Sequence, residues 1–143
     1  MSTEKNKAIA RQFGEEVFNQ GNTRAIDELM PANFIEHNDL PAGLPSGREG
    51  VKVMLTMLHG AFPDFHATID DIVAEGDRVV VRSTWDGTQK GEFLGIPTSG
   101  KHFTIPVIDI MRIGDNKVVE HWGVIDRLGM MQQLGTVPVP GLV

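Results

Sequence analysis

At 143 residues the chain suits one domain, 1–143, long enough to bury roughly two thirds of its unfolded surface. With 41% apolar and 22% charged residues it is not a disordered chain, and a net charge of −6 with scattered Lys and Arg argues against a nucleic-acid partner. There is no cysteine, which removes disulfides, thiol nucleophiles and Cys-ligated zinc together and fits a reducing, cytoplasmic setting.

The first residues, Met1 to Lys7, are polar and no apolar run follows them, so a signal segment is not expected. No apolar stretch approaches the roughly 18 residues of a membrane span. Thr3 can cap a first helix in which Ile9, Phe13 and Val17 recur at four-residue spacing, and Gly21 stops it. Asn22 or Thr23 caps a second, shorter helix carrying Ile26, Leu29 and Met30, ended by Pro31. The segment Phe34-Ile35-Glu36-His37 reads as a short strand, followed by a loop rich in Pro and Gly. From Arg48, Val51, Leu55 and Leu58 again have helical spacing as far as Pro63.

Beyond Pro63 the period changes to two. Strands are predicted over 66–74, 78–88, 101–113 and 117–126, with turns at Gly76-Asp77 and Gly114-Asp115-Asn116. Arg127 to Leu134 reads as a last helix, and the Pro-rich tail cannot extend it. Helices and strands are segregated, so the fold class is α+β, with helices over one face of a curved antiparallel sheet and a pocket on the concave side.

The polar residues on that concave face carry the chemistry. In the strand from Arg78, the set Val79, Val81, Ser83 and Trp85 is the more apolar and faces inward, making Trp85 a pocket wall or a packed core residue. In the next strand Phe103, Ile105, Val107, Asp109 and Met111 share a face, and Asp109 is its lone carboxylate. Burial raises a carboxyl pKa, as a general acid or base near neutrality requires. A structural carboxylate satisfied by nearby donors is the plainer alternative.

A three-residue turn, Gly114 to Asn116, sets Ile113 opposite Lys117 and Asp109 opposite His121. A two-residue turn sets Trp122 there. In the first register His121 shares the inward face with Val119, Gly123 and Ile125, and an Asp109–His121 pair can divide proton transfer between its members. His37, before a flexible loop, can close the pocket mouth. His59, His66 and His102 show no pairing pattern and read as surface or structural. No metal-ligand spacing, phosphate loop or nucleophile elbow is present, so neither metal nor cofactor is expected.

Several of these segments carry a resemblance. The loop Gly91-Glu92-Phe93-Leu94-Gly95-Ile96-Pro97 ending in Gly100-Lys101, the strand Ile110-Met111-Arg112-Ile113, the run Lys117-Val118-Val119-Glu120-His121-Trp122 and the closing Gln133-Leu134-Gly135 together resemble the SnoaL-like polyketide cyclases of the nuclear-transport-factor-2-like superfamily. The resemblance implies a cone-shaped α+β fold, a homodimer through the sheet, and intramolecular aldol cyclisation of a polyketide ester without metal or cofactor. It also implies an acid–base aspartate on the last strand paired with a histidine on the strand before. In that pattern the histidine position falls on Asp109 here and the aspartate position on Gly123.

The expected function is therefore cofactor-independent acid–base chemistry, aldol cyclisation or isomerisation, on a small, largely apolar carbonyl compound. Asp109, His121 and His37 are the candidate catalytic residues, with Trp85, Phe93, Val107 and Gly123 shaping the pocket. A non-catalytic dimeric binding domain, or an enzyme of epoxide-hydrolase or ketosteroid-isomerase type, would share these features. The outward set Thr104, Pro106, Ile108 and Ile110 is apolar enough to meet a second sheet.

Overall fold

Ser2, one residue before the expected cap, accepts a hydrogen bond from the Lys5 N–H and opens α1, Thr3–Phe13. The computed structural model describes residues 2–38 and 40–138, so Asp39 and the end of the Pro-rich tail lie outside the described residues. Ile9, Ala10 and Phe13 form the buried stripe of α1. The chain then continues as a π-helical stretch, Gly14–Asn19, in which the Gln20 N–H reaches the Glu15 carbonyl five residues back. This stretch buries Val17 completely. At its end Asn19 hydrogen-bonds both the N–H and the carbonyl of Ala67, tying the helical layer to the sheet.

Asn22 caps α2, Thr23–Leu29, by accepting from the N–H groups of Arg24 and Ala25. Met30 is already extended, as a residue before proline prefers to be. The short strand β1, Ile35–Glu36, precedes α3, Gly47–Ala61. Four long strands follow: β2, His66–Glu75; β3, Arg78–Thr88; β4, His102–Gly114; and β5, Lys117–Ile125. The last helix, α4, is Arg127–Gln133, capped by Asp126.

The strands lie in the order β1-β5-β4-β3-β2, and β1 joins β5 in parallel while the other pairs are antiparallel. The sheet is thus mixed rather than wholly antiparallel as expected. The pleat falls as predicted: Val79, Val81, Ser83 and Trp85 are buried, and so are Phe103, Ile105, Val107, Asp109, Met111 and Ile113. Helices cover this face, with one core cluster under α1, α2 and the π-helical stretch and a second built around Phe62, Phe65, Trp85 and Phe103.

The loop between β3 and β4 is fixed from beneath by Gln89, which is fully buried. Its Nε2 donates to the Ile96 carbonyl at 3.1 Å, and its Oε1 accepts from the Ser99 N–H and Oγ. Replacing Gln89 with Ala leaves these part-buried groups without their partner, which costs about 1 kcal/mol. Urea unfolding should show that loss; an unchanged midpoint would mean the loop does not depend on this anchor.

Candidate active site

Between the concave face and the helices lies a cavity of about 460 Å³. Its lining is mostly apolar, including Phe13, Met30, Phe34, Leu58, Trp85, Phe93 and Met131. Into it come a few polar side chains, Glu36, Asn38, Asp109, His121 and Arg127, the combination expected of a small-molecule site.

The polar group is assembled by strand register. Asp115 and Asn116 both have positive φ, so the hairpin between β4 and β5 is a two-residue turn closed by Gly114 and Lys117. Ile113 then faces Val118, but Arg112 faces Glu120, which leaves Val119 as an extra residue in a bulge. The bulge sets Met111 opposite His121 and Asp109 opposite Gly123. His121 is therefore a diagonal neighbour of Asp109 on the inward face. Parallel pairing of β1 puts Glu36 beside His121 on its other flank.

The imidazole bridges the two carboxylates. Its Nε2 is 2.7 Å from Asp109 Oδ1 and its Nδ1 is 2.7 Å from Glu36 Oε1. All three side chains are nearly buried, at 8–13% exposure. A carboxylate can only accept, so both ring nitrogens carry hydrogen and His121 is an imidazolium. Burial alone would lower its pKa, but the hydrogen bonds it donates to Asp109 and Glu36, and their charges, push it up to about 9. Asp109 Oδ2 has no hydrogen bond to any described residue. Gly123 makes room for this arrangement. A Cβ there would stand 2.7 Å from Asp109 Oδ1, 2.9 Å from Asn38 Nδ2 and 3.1 Å from His121 Cε1.

Of the candidate residues, the structure brings Asp109, His121, Trp85 and Phe93 together at the cavity and places three elsewhere. His37 does not close the pocket mouth. One residue past Glu36 it turns to the outer face, where Nε2 meets Glu120 Oε2 at 2.6 Å and the ring stacks on Trp122 at 4.6 Å. Glu120 also takes Arg112 Nε at 2.7 Å, and its pKa is lowered by His37 first and Arg112 second. Val107 is packed in the core and is not among the lining residues. Gly123 does not line the cavity either; its N–H donates to Asn38 Oδ1.

The register with Asp109 opposite His121 is corrected by two residues, and Val118 replaces Val119 on the inward face. Sequence reasoning missed Glu36 and Asn38. Their only signal was position: in a two-residue strand flanked by His37, alternate residues must face opposite ways.

Among the described residues, no cluster of three or more His, Asp or Glu is arranged to hold a metal ion, and no helix is long and apolar enough to cross a membrane. A family model for SnoaL-like polyketide cyclases matches residues 8–134. The nogalonic acid methyl ester cyclase of Streptomyces nogalater is 25% identical over 82% of this chain and 89% of its own length. The aklanonic acid methyl ester cyclase DnrD of Streptomyces peucetius is 29% identical over 84% of each. Among solved structures, TsrD from Streptomyces laurentii superposes with a TM-score of 0.85 at 33% identity, covering 96% of this chain and 99% of that one.

A histidine with a folded pKa above its unfolded value stabilises the fold at low rather than high pH. The contribution is complete below about 6.5, fades as pH rises and is gone above about 9. In an NMR titration the His121 ring signals should therefore move near 9. Movement at or below 6.5 would show that the two carboxylates do not hold the proton.

Proposed function

The chain belongs to the SnoaL-like polyketide cyclases, and from that membership we propose that it performs cofactor-independent acid–base chemistry on a largely apolar carbonyl compound, with Asp109 as the base. The observation that carries this reading is the Glu36–His121–Asp109 chain of 2.7 Å contacts, ending at an apolar cavity with Asp109 Oδ2 unengaged. A binding module has no use for an unengaged carboxylate oxygen facing its ligand.

In the cyclisation, Asp109 takes a proton from a carbon beside a carbonyl. The resulting enolate attacks a second carbonyl of the same molecule, and the new alkoxide recovers the proton from Asp109. Atoms and charge balance without a further reactant. A carbon flanked by activating groups is acidic enough for a positioned carboxylate, so the step calls for no cofactor. His121, locked by Glu36, fixes the plane and rotamer of Asp109. The Asn38 amide accepts the Gly123 N–H through Oδ1, which leaves Nδ2 as a donor for a developing oxyanion. Both cyclases named above act, by name, on acid methyl esters, those of nogalonic and aklanonic acid, and the mostly apolar cavity lining suits an ester ligand.

The same geometry makes sense of an exchange between strands. The resemblance sets the family's histidine position at Asp109 and its aspartate position at Gly123. Here the carboxylate stands on β4 and the histidine on β5, two residues before Gly123, which keeps an Asp–His pair at the cavity.

β-Tetralone, an apolar ketone with an acidified C–H, is a suitable probe. In D₂O the protein should speed exchange of that hydrogen above the buffer rate by proton NMR, and Asp109→Asn should lower the enhancement by about 10²-fold or more. Exchange at the buffer rate, or an Asp109→Asn variant as fast as the parent, removes the catalytic reading and leaves a binding domain.

We also propose that the chain pairs through its outer sheet face. Ile108 and Val124 sit opposite one another there and are 47% and 75% exposed. Ile108→Glu should then give a monomer by light scattering; an unaltered mass would sink the dimer.

A further inference from the structure

A second, smaller cavity of about 270 Å³ lies between the helical layer and strands β2 and β3. Phe18, Trp85 and Asp109 line both cavities, and the two rings, with centroids 5.4 Å apart, form part of the wall between them. The lining changes in character from mouth to floor. Arg11, Glu15, His66 and Thr68 are exposed to solvent, whereas Ser83 is 4% exposed. The Ser83 hydroxyl has no hydrogen bond to any described residue, although it belongs to a buried side chain that faces this space.

We propose that the smaller cavity is a water site and proton route, in which water positioned by Ser83 exchanges the Asp109 proton with solvent while ligand fills the larger cavity. This rests on the reading of Asp109 as the base. Val81 pairs with Asp109 and Val107 with Ser83, so Ser83 is the diagonal neighbour of Asp109 on one face of the sheet. Diagonal residues stand roughly 7–8 Å apart, a gap that the long His121 side chain closes but that the short Ser83 hydroxyl does not, and that suits one bridging water. A water takes about 30 Å³ of liquid volume, so the cavity has room for a short file of them. A serine hydroxyl both donates and accepts, and can pass a proton on without changing its own charge.

Other exits from Asp109 are closed. Its Oδ1 faces an imidazolium whose two N–H groups are both held by carboxylates. On the remaining side stands the ligand. In D₂O the protonated Asp109 gives its proton to the adjacent water as that water, or Ser83, returns a deuteron. Asp109 then deuterates the enolate. The sum is C–H plus D₂O giving C–D plus HOD, with nothing oxidised or reduced.

The reference is β-tetralone exchange in D₂O by the unsubstituted protein and its loss in Asp109→Asn. Ser83→Ala should slow exchange by about tenfold, the scale of one lost hydrogen bond. Binding of β-tetralone, read as quenching of Trp85 fluorescence, should stay unchanged, and Ser83→Thr should restore the rate. A Ser83→Ala variant exchanging as fast as the parent overturns the route while Asp109 stands as base. Loss of reference exchange overturns both. A crystal structure with β-tetralone bound should show ordered water between Ser83 and Asp109. A dry smaller cavity, or ligand extending into it, rules the route out whatever the rates.

Discussion

A buried histidine with both ring nitrogens against carboxylates is the constraint around which this molecule is organised. His121 satisfies Glu36 and Asp109 together only as a cation, and each carboxylate is buried only because the cation lies beside it. Three strands are tied by those contacts: β1 through Glu36, β5 through His121 and β4 through Asp109. The edge strand needs such a tie. It contributes two residues to the sheet and would have little to hold it by backbone pairing alone. Removing His121 leaves two buried carboxylates without their cation, and removing either carboxylate leaves a ring N–H without its acceptor, so the group holds the sheet edge and orders the site at the same time.

The same crowding explains why a glycine lies behind the Asp109–His121 contact. Asp109, Asn38 and His121 all border the space above Gly123, and a side chain there would crowd Asp109 and Asn38 and press tightly on His121. A Cβ at that position would require Asp109 Oδ1 and Asn38 Nδ2 to move from where they stand. The arrangement of this chain is a joint one, in which Asp109, Gly123 and Glu36 form one set. The Gly123 N–H, freed from any side chain above it, is in turn what orients Asn38.

Strand alternation lets two ionic groups share these strands without mixing. Glu36 and His121 point inward; His37, Glu120 and Trp122 point outward, where Arg112 completes the set and the Arg78 guanidinium lies 4.9 Å from the Trp122 centroid. The inner group is water-poor and bears on the cavity. The outer group is half exposed, so its charges are screened and it serves the sheet surface rather than the site.

Periodicity alone determined much of this protein. The apolar stripe Ile9, Ala10, Phe13 and Val17, the alternation through β3 and β4, and the segregation of helices from strands gave an α+β fold with Asp109 and Trp85 facing inward. The facing of His121 survived a wrong register because the error was two residues, an even slip that preserves the face of a pleated strand. The bulge at Val119 was not legible, since an extra residue in a strand has no composition of its own; the two-residue turn set Val118 inward opposite Ile113, and the bulge then set His121 inward opposite Met111. Glu36 and His37 could not be told apart in the sequence. Which one meets His121 depends on the parallel pairing of β1 with β5, a contact across 85 residues that no local pattern encodes. Local chemistry therefore sets which residues can be buried, whereas only the assembled sheet decides which charges meet, because the distance between charges is a property of register.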